Sequence, residues 1–212
     1  MKRSIWPWIP FALLAIFVGS YPLTYFLFDV HDHGILKNKP LNLRNDPFYL
    51  LAFYTHISMG GLALLIGWMQ FSKRLRLKNI RLHRFIGKVY VLAVLCSSLA
   101  GLTIALFADG GIISTLGFGL LAILWLFTDI AAYVSIRKLN TTRHRDWMIR
   151  NYCLCFAAVT LRIYLPFSLM VMHAGFMDAY RLISWMCWVP NLILAELLIW
   201  RLHRNNLTVQ TV

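Results

Sequence analysis

Long runs of apolar residues, separated by short polar segments, follow one another along the whole chain. Six runs are about 20 residues long, the length that an α-helix needs to cross the hydrocarbon core of a bilayer. The pattern therefore predicts an all-α, polytopic transmembrane helix bundle with about six spans. The predicted spans are Ile5–Phe28, Phe48–Phe71, Phe85–Phe107, Ile112–Ile136, Ile149–Met172 and Leu182–Trp200. Since no soluble domain fits between them, we expect residues 1–212 to form a single transmembrane domain.

The first predicted span begins like a secretory signal peptide. Lys2 and Arg3 precede the apolar run, and Val18–Ser20 loosely fits a cleavage site. The run continues to Phe28, however, which is longer than the apolar region of a signal peptide. This length favours a retained membrane helix.

The composition agrees with a membrane protein. Hydrophobic residues make up 59% of the chain and charged residues only 14%, whereas soluble domains are about 25% charged. The formal net charge of +13 would suit a nucleic-acid-binding protein, but the basic residues cluster between the apolar runs. We interpret these clusters as topology signals and expect a lipid bilayer, not a nucleic acid, as the partner.

The distribution of lysine and arginine predicts the orientation of the spans. Sixteen of the 21 lie at the N-terminus, in the loops after the second and fourth spans, and in the C-terminal tail. Four lie in the other loops, namely Lys37, Lys39, Arg44 and Arg181. Because cytoplasmic loops carry the excess of positive charge, both termini are predicted to be cytoplasmic, an N-in/C-in topology.

Several polar residues interrupt the predicted spans and are functional candidates, because ionisable groups are costly inside a bilayer. They are His56, Asp129, Arg162, Asn191 and Glu196. The helical rise of about 1.5 Å per residue gives the depth of each residue in the membrane. By this estimate the histidine, the arginine and the asparagine lie at a similar depth, and both carboxylates lie nearer the cytoplasm. The structural alternative is that Arg162 pairs with Asp129 or Glu196 and holds the helices together.

Helical periodicity places further polar and small residues on common faces. One polar line on span five lies within about 20° of a single direction and contains His144, Asn151, Arg162 and His173, with Cys155 close by. Pro166 is expected to kink this helix. Span three has a face with His83, Gly87, Tyr90 and Gly101, and span two places Ala63 and Gly67 beside His56. Small residues permit close helix packing or leave room for a flat cofactor.

Two histidines suggest a haem site. His83 and His144 lie at the predicted cytoplasmic ends of spans three and five, and an arginine follows each. A b-type haem takes one imidazole from each of two helices, with basic residues near its propionates. We predict His83 and His144 as ligands of the haem iron, with Arg162 or the loop arginines near the propionates.

The alternative for both histidines is an interfacial role, in which they cap helices or contact lipid phosphate. His173 lies at the membrane edge, about 12 Å from the depth of His56, so a second haem is not predicted. His31 and His33 are assigned to a solvated loop and His203 to the headgroup region. The four cysteines lack zinc-site spacing and are interpreted as apolar packing residues.

Several motifs together resemble a bacterial family of multi-spanning membrane proteins, domain of unknown function 2306. They are His56–Gly61, Leu82–Tyr90, His144–Tyr152, Ala157–Arg162 and Trp188–Leu192, followed by Glu196. The resemblance runs from about Phe48 to Trp200. It implies a helix bundle in the bacterial inner membrane and marks His56, His83, His144, Arg162, Asn191 and Glu196 as motif positions, without implying an activity.

The segment His83-Arg84-x-x-Gly87 also resembles cytochrome b561 and ferric-reductase-like proteins. This second resemblance implies that His83 binds haem. Span four lacks the histidine of the usual b561 arrangement, which argues against binding of two haems.

The leading hypothesis is a b-type haem electron carrier that passes electrons between quinol and another acceptor. His56 and Asn191 would then belong to a quinol or proton site. One alternative is a proton-coupled transporter or small-anion-binding protein that uses His56, Arg162, Asp129 and Glu196. Another is a non-catalytic assembly or sensing protein. No nucleophile, phosphate-loop or metalloprotease motif is present, and no enzyme class is predicted.

The orientation can be tested with reporter fusions. Green fluorescent protein fused after Val212 should fluoresce, because it becomes fluorescent in the cytoplasm. Alkaline phosphatase fused at the same position should be inactive, because it folds to its active form only on the opposite side of the membrane. Fusions after Ala108 should behave in the reverse way. Active phosphatase after Val212 would show that the predicted orientation is inverted.

Overall fold

The computed structural model describes residues 8–27, 36–37, 39–173 and 175–210, and this part of the chain is helical without β-strands. Two 3-10 turns, Tyr21–Leu23 and Trp68–Phe71, continue longer helices. The α-helices are α1 Trp8–Ser20, α2 Thr24–Leu27, α3 Leu41–Arg44, α4 Pro47–Gly67, α5 Lys73–Lys78, α6 Ile80–Ala105, α7 Ile112–Arg137, α8 Thr141–Cys155, α9 Ala157–Met170, α10 Phe176–Met186 and α11 Val189–Gln210.

Six helical stretches in the described residues are long and apolar enough to cross a membrane. They are Ile9–Leu27, Pro47–Phe71, Ile80–Ala105, Ile112–Arg137, Thr141–Met170 and Phe176–Arg204. The predicted all-α, multi-pass fold is thus confirmed, while its orientation stays a prediction. Ile5, Phe28, the N-terminal basic pair Lys2 and Arg3, and the two loop histidines His31 and His33 lie outside the described residues.

Four of the six spanning helices begin before the apolar runs that predicted them. The third span starts at Ile80 instead of Phe85, and the fifth at Thr141 instead of Ile149. An asparagine precedes each start, and its side-chain oxygen accepts a backbone N–H of the first turn: Leu82 N lies 3.0 Å from Asn79 Oδ1 and Arg143 N 2.9 Å from Asn140 Oδ1. Such caps stabilise a first turn that hydropathy alone does not mark.

The chain falls into two compact units, Met1–Ala108 and Asp109–Val212, and each is described separately. In unit 1, α4 packs against α6 and α1. Glycines allow the close approach of α1 and α4: a Cβ built on Gly61 would lie 2.7 Å from the Gly19 carbonyl oxygen. Backbones approach this closely only where no side chain separates them.

One end of unit 1 is closed by an aromatic cluster and a buried lysine. Tyr25, Tyr49 and Phe53 pack around Leu36, whose side chain is fully buried. Lys39, only 5% exposed, donates from Nζ to the carbonyl oxygen of Phe107, just beyond the end of α6. A cation is favourable there because the last carbonyls of a helix carry partial negative charge.

In unit 2, α7 packs against α8 and α10, and α8 packs against α11. At the start of α7, Arg181 Nε donates to the Gly110 carbonyl oxygen at 2.9 Å, and Trp185 Nε1 to that of Ile113 at 3.1 Å. Gly117 lies against Ser184, so that a Cβ at this glycine would lie 2.6 Å from the serine Oγ. Helix α10 is therefore held closely along the first half of α7.

The fifth span is not one continuous α-helix. Helix α8 ends at Cys155 and α9 begins at Ala157, with Phe156 as a turn between them. At this turn Val159 N donates to Phe156 O at 2.9 Å, a three-residue step in place of the usual four. The break comes ten residues before Pro166, which lies inside α9. The polar line expected along span five and the kink expected at Pro166 stay predictions.

The contact between Gly19 and Gly61 can be tested by adding one methyl group. Gly61→Ala should reduce stability by about 1–3 kcal/mol, because the new Cβ meets backbone that cannot rotate away. Thermal unfolding in detergent, followed by tryptophan fluorescence, measures the loss.

Gly119→Ala is the matched control, since no neighbouring atom lies within 4 Å of a Cβ built there. It should leave stability unchanged or raise it by up to about 1 kcal/mol through helix propensity. Equal destabilisation by both substitutions would contradict a specific role for the close approach.

Candidate functional site

His56 lies between α4 and α6 in unit 1 and is held by the backbone of the neighbouring helix. Its Nδ1 is 2.9 Å from the carbonyl oxygen of Ser97 and 3.2 Å from the Ser97 hydroxyl. The same hydroxyl donates to the carbonyl oxygen of His56 at 2.9 Å. Because a carbonyl oxygen only accepts, Nδ1 carries the ring hydrogen and Nε2 the lone pair.

Gly101 makes this arrangement possible. It lies one helical turn after Ser97, and a Cβ built on it would be 2.8 Å from His56 Nδ1 and 2.9 Å from Cε1. The imidazole therefore occupies the space that a side chain at position 101 would fill. The predicted face of small residues thus supports close packing around a histidine.

His83 lies in the first turn of α6 and is partly buried. One turn further on, Gly87 faces Gln70, whose Oε1 would be 3.4 Å from a Cβ at this glycine. Gln70 is 7% exposed, and its Nε2 has no acceptor among the described residues. The predicted face of His83, Gly87 and Tyr90 therefore lies next to the end of span two, and Tyr90 is fully buried.

Two polar residues of α8 bind the backbone of α7 in unit 2. His144 Nδ1 lies 2.9 Å from the carbonyl oxygen of Ala132. Asn151, fully buried, donates from Nδ2 to the carbonyl oxygen of Trp125 at 2.9 Å and to Thr128 Oγ1 at 3.0 Å. His144 and Asn151 are seven residues apart, and so are their acceptors Ala132 and Trp125. The same kind of contact therefore recurs after two helical turns along the antiparallel pair α7 and α8.

The opposite face of α8 binds α11 through charged groups. Arg150 and Glu196 form a two-pronged ion pair, with Nε–Oε1 and Nη2–Oε2 distances of 2.5 and 2.8 Å. Arg150 also lies over the ring of Trp147, 4.6 Å from its centroid. One turn earlier, Asp146 Oδ2 is 2.8 Å from His203 Nε2, and its Oδ1 is 3.4 Å from Arg145.

These contacts bear on two interpretations from the sequence. Glu196 pairs with Arg150, which rules out the alternative in which Arg162 bridges Glu196. His203 binds Asp146, and its predicted place at the headgroup level stays a prediction.

Arg162 and Asn191 take part in separate contacts. Arg162 lies in α9, is half-buried, and donates from Nη1 to the carbonyl oxygen of Ala158 at 3.0 Å. Asn191 donates from Nδ2 to Thr160 Oγ1 at 2.8 Å and to the carbonyl oxygen of Cys187 at 3.0 Å. The threonine donates in turn to the carbonyl oxygen of Phe156, at the break in span five. A third polar link thus joins spans five and six.

Asp129 is a buried acidic residue of unit 2. It lies in α7, is 1% exposed, and its Oδ1 has no hydrogen-bond donor among the described residues. Thr128 and Asn151 bond to each other and to the Trp125 carbonyl oxygen instead. The carboxyl is therefore buried beside a polar network to which its Oδ1 does not belong.

The remaining candidates are placed outside these networks. His173 follows α9, is exposed, and has a φ of 49°. All four cysteines are free; Cys155 and Cys187 are buried and Cys96 and Cys153 are partly buried. In the described residues, no three His, Cys, Asp or Glu side chains are grouped to hold a metal ion. A b-type haem needs only two histidine ligands.

The partners Asp146, Arg150 and His203 were not among the predicted site residues, although two lie in the motif His144–Tyr152. Their spacing was an available signal. Asp146 and Arg150 are four residues apart in α8, and Glu196 and His203 are seven apart in α11. Such spacings place each pair on one helix face. Each pair has one acidic and one basic member, so the acid of one helix can face the base of the other.

The geometry can now be compared with known proteins. A family described as "Predicted membrane protein (DUF2306)" matches residues 53–199. Since the match covers more than half of the chain, the protein belongs to this family. No curated protein and no solved structure matches the chain, so the resemblance to cytochrome b561 and ferric-reductase-like proteins stays a prediction.

Charge exchange tests the Arg150–Glu196 ion pair. Arg150→Glu and Glu196→Arg should each lower the melting temperature in detergent by about 5 °C, because each places like charges together within a helix contact. The double variant should recover most of this loss.

Asp178→Arg is the control, because the Asp178 side chain is 79% exposed and its ion pair with Arg181 lies within one helix. It should change the melting temperature little. If the melting temperature of the double variant fell by the sum of the two single losses, the pair would not hold α8 to α11.

Proposed function

We propose that this member of the DUF2306 family is a membrane electron carrier that binds haem b through His83 and His144. The observation that carries the proposal is that both histidines occupy the same place in their helices. Each is the fourth residue after an asparagine N-cap, and each is followed by arginine. In each helix the histidine N–H closes the first turn on the carbonyl oxygen of the cap, at 3.1 Å for His83 and 2.9 Å for His144.

The predicted topology supports ligation by this pair. Successive spans cross a membrane in opposite directions, so the third and fifth spans begin on the same side. Equal distance from the N-cap then gives the two imidazoles a similar predicted depth. One imidazole from each of two helices at a matched depth is the arrangement that a b-type haem requires.

The hydrogen bond of His144 suits a metal ligand. Its Nδ1 hydrogen is directed to the Ala132 carbonyl oxygen at 2.9 Å, which leaves the Nε2 lone pair for iron and fixes the plane of the ring. Histidines that bind metals usually donate their second nitrogen in this way. Arg84 and Arg145, next to the two histidines, supply positive charge for propionates.

Haem would supply one-electron oxidation and reduction, and the chain would hold it at the cytoplasmic side of a bacterial inner membrane. A quinol, which dissolves in the bilayer, is the electron donor that we propose, with Asn191 as a contact. Both amide hydrogens of Asn191 are already used by Thr160 and Cys187. Its Oδ1 is therefore the atom left for a quinol hydroxyl.

Absorption spectroscopy tests the haem proposal. The purified protein, produced with ample haem, should show the reduced-minus-oxidised spectrum of a haem with two histidine ligands. His83→Ala and His144→Ala should each reduce haem content at least about tenfold, because one imidazole does not hold the haem firmly. Pyridine haemochrome analysis measures that content.

His173→Ala is the control and should retain the spectrum, since this histidine is exposed and lies outside the helices. A colourless wild-type preparation would reject the electron-carrier proposal. Haem that survives both ligand substitutions would reject the ligand assignment while leaving the function.

A further inference from the structure

Asp129 is a buried acid without a visible structural role. It lies in the second half of the fourth span, Ile112–Arg137, and its side chain is almost completely enclosed at 1% exposure. No donor among the described residues reaches its Oδ1. Carboxyl groups in this position are usually paired with a cation or bonded by donors, because an isolated charge is costly in a low-dielectric environment.

The basic groups of unit 2 that carry described contacts are engaged elsewhere. On α7 itself, Arg137 bonds to Tyr133 Oη at the end of the helix. Helix α8 packs along α7, but Arg150 pairs with Glu196 of α11 and Arg145 lies at Asp146. Helix α10 also packs on α7, and there Arg181 binds Gly110 and Asp178 at the opposite end.

On α8, which packs along α7, the titratable His144 binds the carbonyl oxygen of Ala132, three residues after Asp129 in the sequence. The neighbouring polar atoms also bond away from the acid. Thr128 Oγ1 donates to Trp125 O at 3.0 Å, and Asn151 Nδ2 donates to the same carbonyl oxygen and to Thr128. The helix contact is thus complete without the Asp129 Oδ1.

We propose that Asp129 is an intramembrane proton-binding site. A proton taken up by a carboxylate oxygen forms one O–H bond and cancels the charge, and its release restores the carboxylate; no electron is transferred. The position within a span, the enclosure and the lack of a donor to Oδ1 among the described residues all favour this exchange over a structural ion pair. The proposal does not depend on haem and would apply equally to a colourless protein.

Infrared difference spectroscopy tests this proposal in protein reconstituted into lipid nanodiscs. Spectra recorded in acidic and alkaline buffers should differ by a carboxyl C=O band that is sensitive to deuterium oxide. Asp129→Asn should remove the intensity of one carboxyl group per chain, while Asp129→Glu should keep the band at a different frequency. Asp178→Asn, an exposed site, should leave the Asp129 band in place.

Coincident difference spectra of the wild type and Asp129→Asn would overturn the proposal. If the asparagine variant does not give a single peak in size-exclusion chromatography, the glutamate variant decides. Unchanged band positions in Asp129→Glu would then show that no proton exchanges at this residue. Loss of haem by His83→Ala has no bearing on the result, so the two proposals fail separately.

Discussion

A polar group that enters a bilayer with this chain must find its partner within the protein, because lipid tails offer neither donor nor acceptor. Helix α8 shows how unit 2 meets this constraint. One face directs His144 and Asn151 to carbonyl oxygens of α7, and the other directs Asp146 and Arg150 to α11. A single hydrogen bond between membrane helices contributes only about 0.6 kcal/mol on average. The main effect of these bonds is therefore to fix the register of three helices.

Unit 1 meets the same constraint with small residues. Gly101 opens space beside the Ser97 carbonyl oxygen, and His56 fills that space while it donates to the oxygen. Gly19 and Gly61 bring α1 and α4 into backbone contact. Apolar burial does not drive helices together in lipid, so close packing and a few internal hydrogen bonds must do so. The glycines are needed because they permit both.

The number and approximate position of the spans could be predicted because length and hydropathy alone decide whether a helix crosses a bilayer. The helix starts could not, because Asn79 and Asn140 act through local capping and extend the helices into polar sequence. Arg150 was counted as a loop cation, whereas the structure places it in a helix against Glu196. Which acidic residue pairs with a given arginine depends on which helix faces meet. The spacing of residues in the sequence limits the possible partners but does not determine the actual one. The break at Phe156 depends on local backbone geometry, and it is separate from the kink expected at Pro166 inside α9.

Family motifs in a membrane protein combine residues that hold helices together with residues that carry chemistry, and hydrogen-bonding capacity separates the two classes. Arg150 and Glu196 form two parallel hydrogen bonds with each other, and Asn191 uses both amide hydrogens within its own unit. His144 is different, because one ring nitrogen is bound to the backbone and the other keeps its lone pair. Asp129 is different again, since one oxygen is enclosed without a donor among the described residues.

An enclosed carboxyl oxygen without a donor costs free energy, so it does not stabilise the fold. The incompletely bonded groups are therefore where chemistry should be sought, and the saturated ones are where stability should be measured.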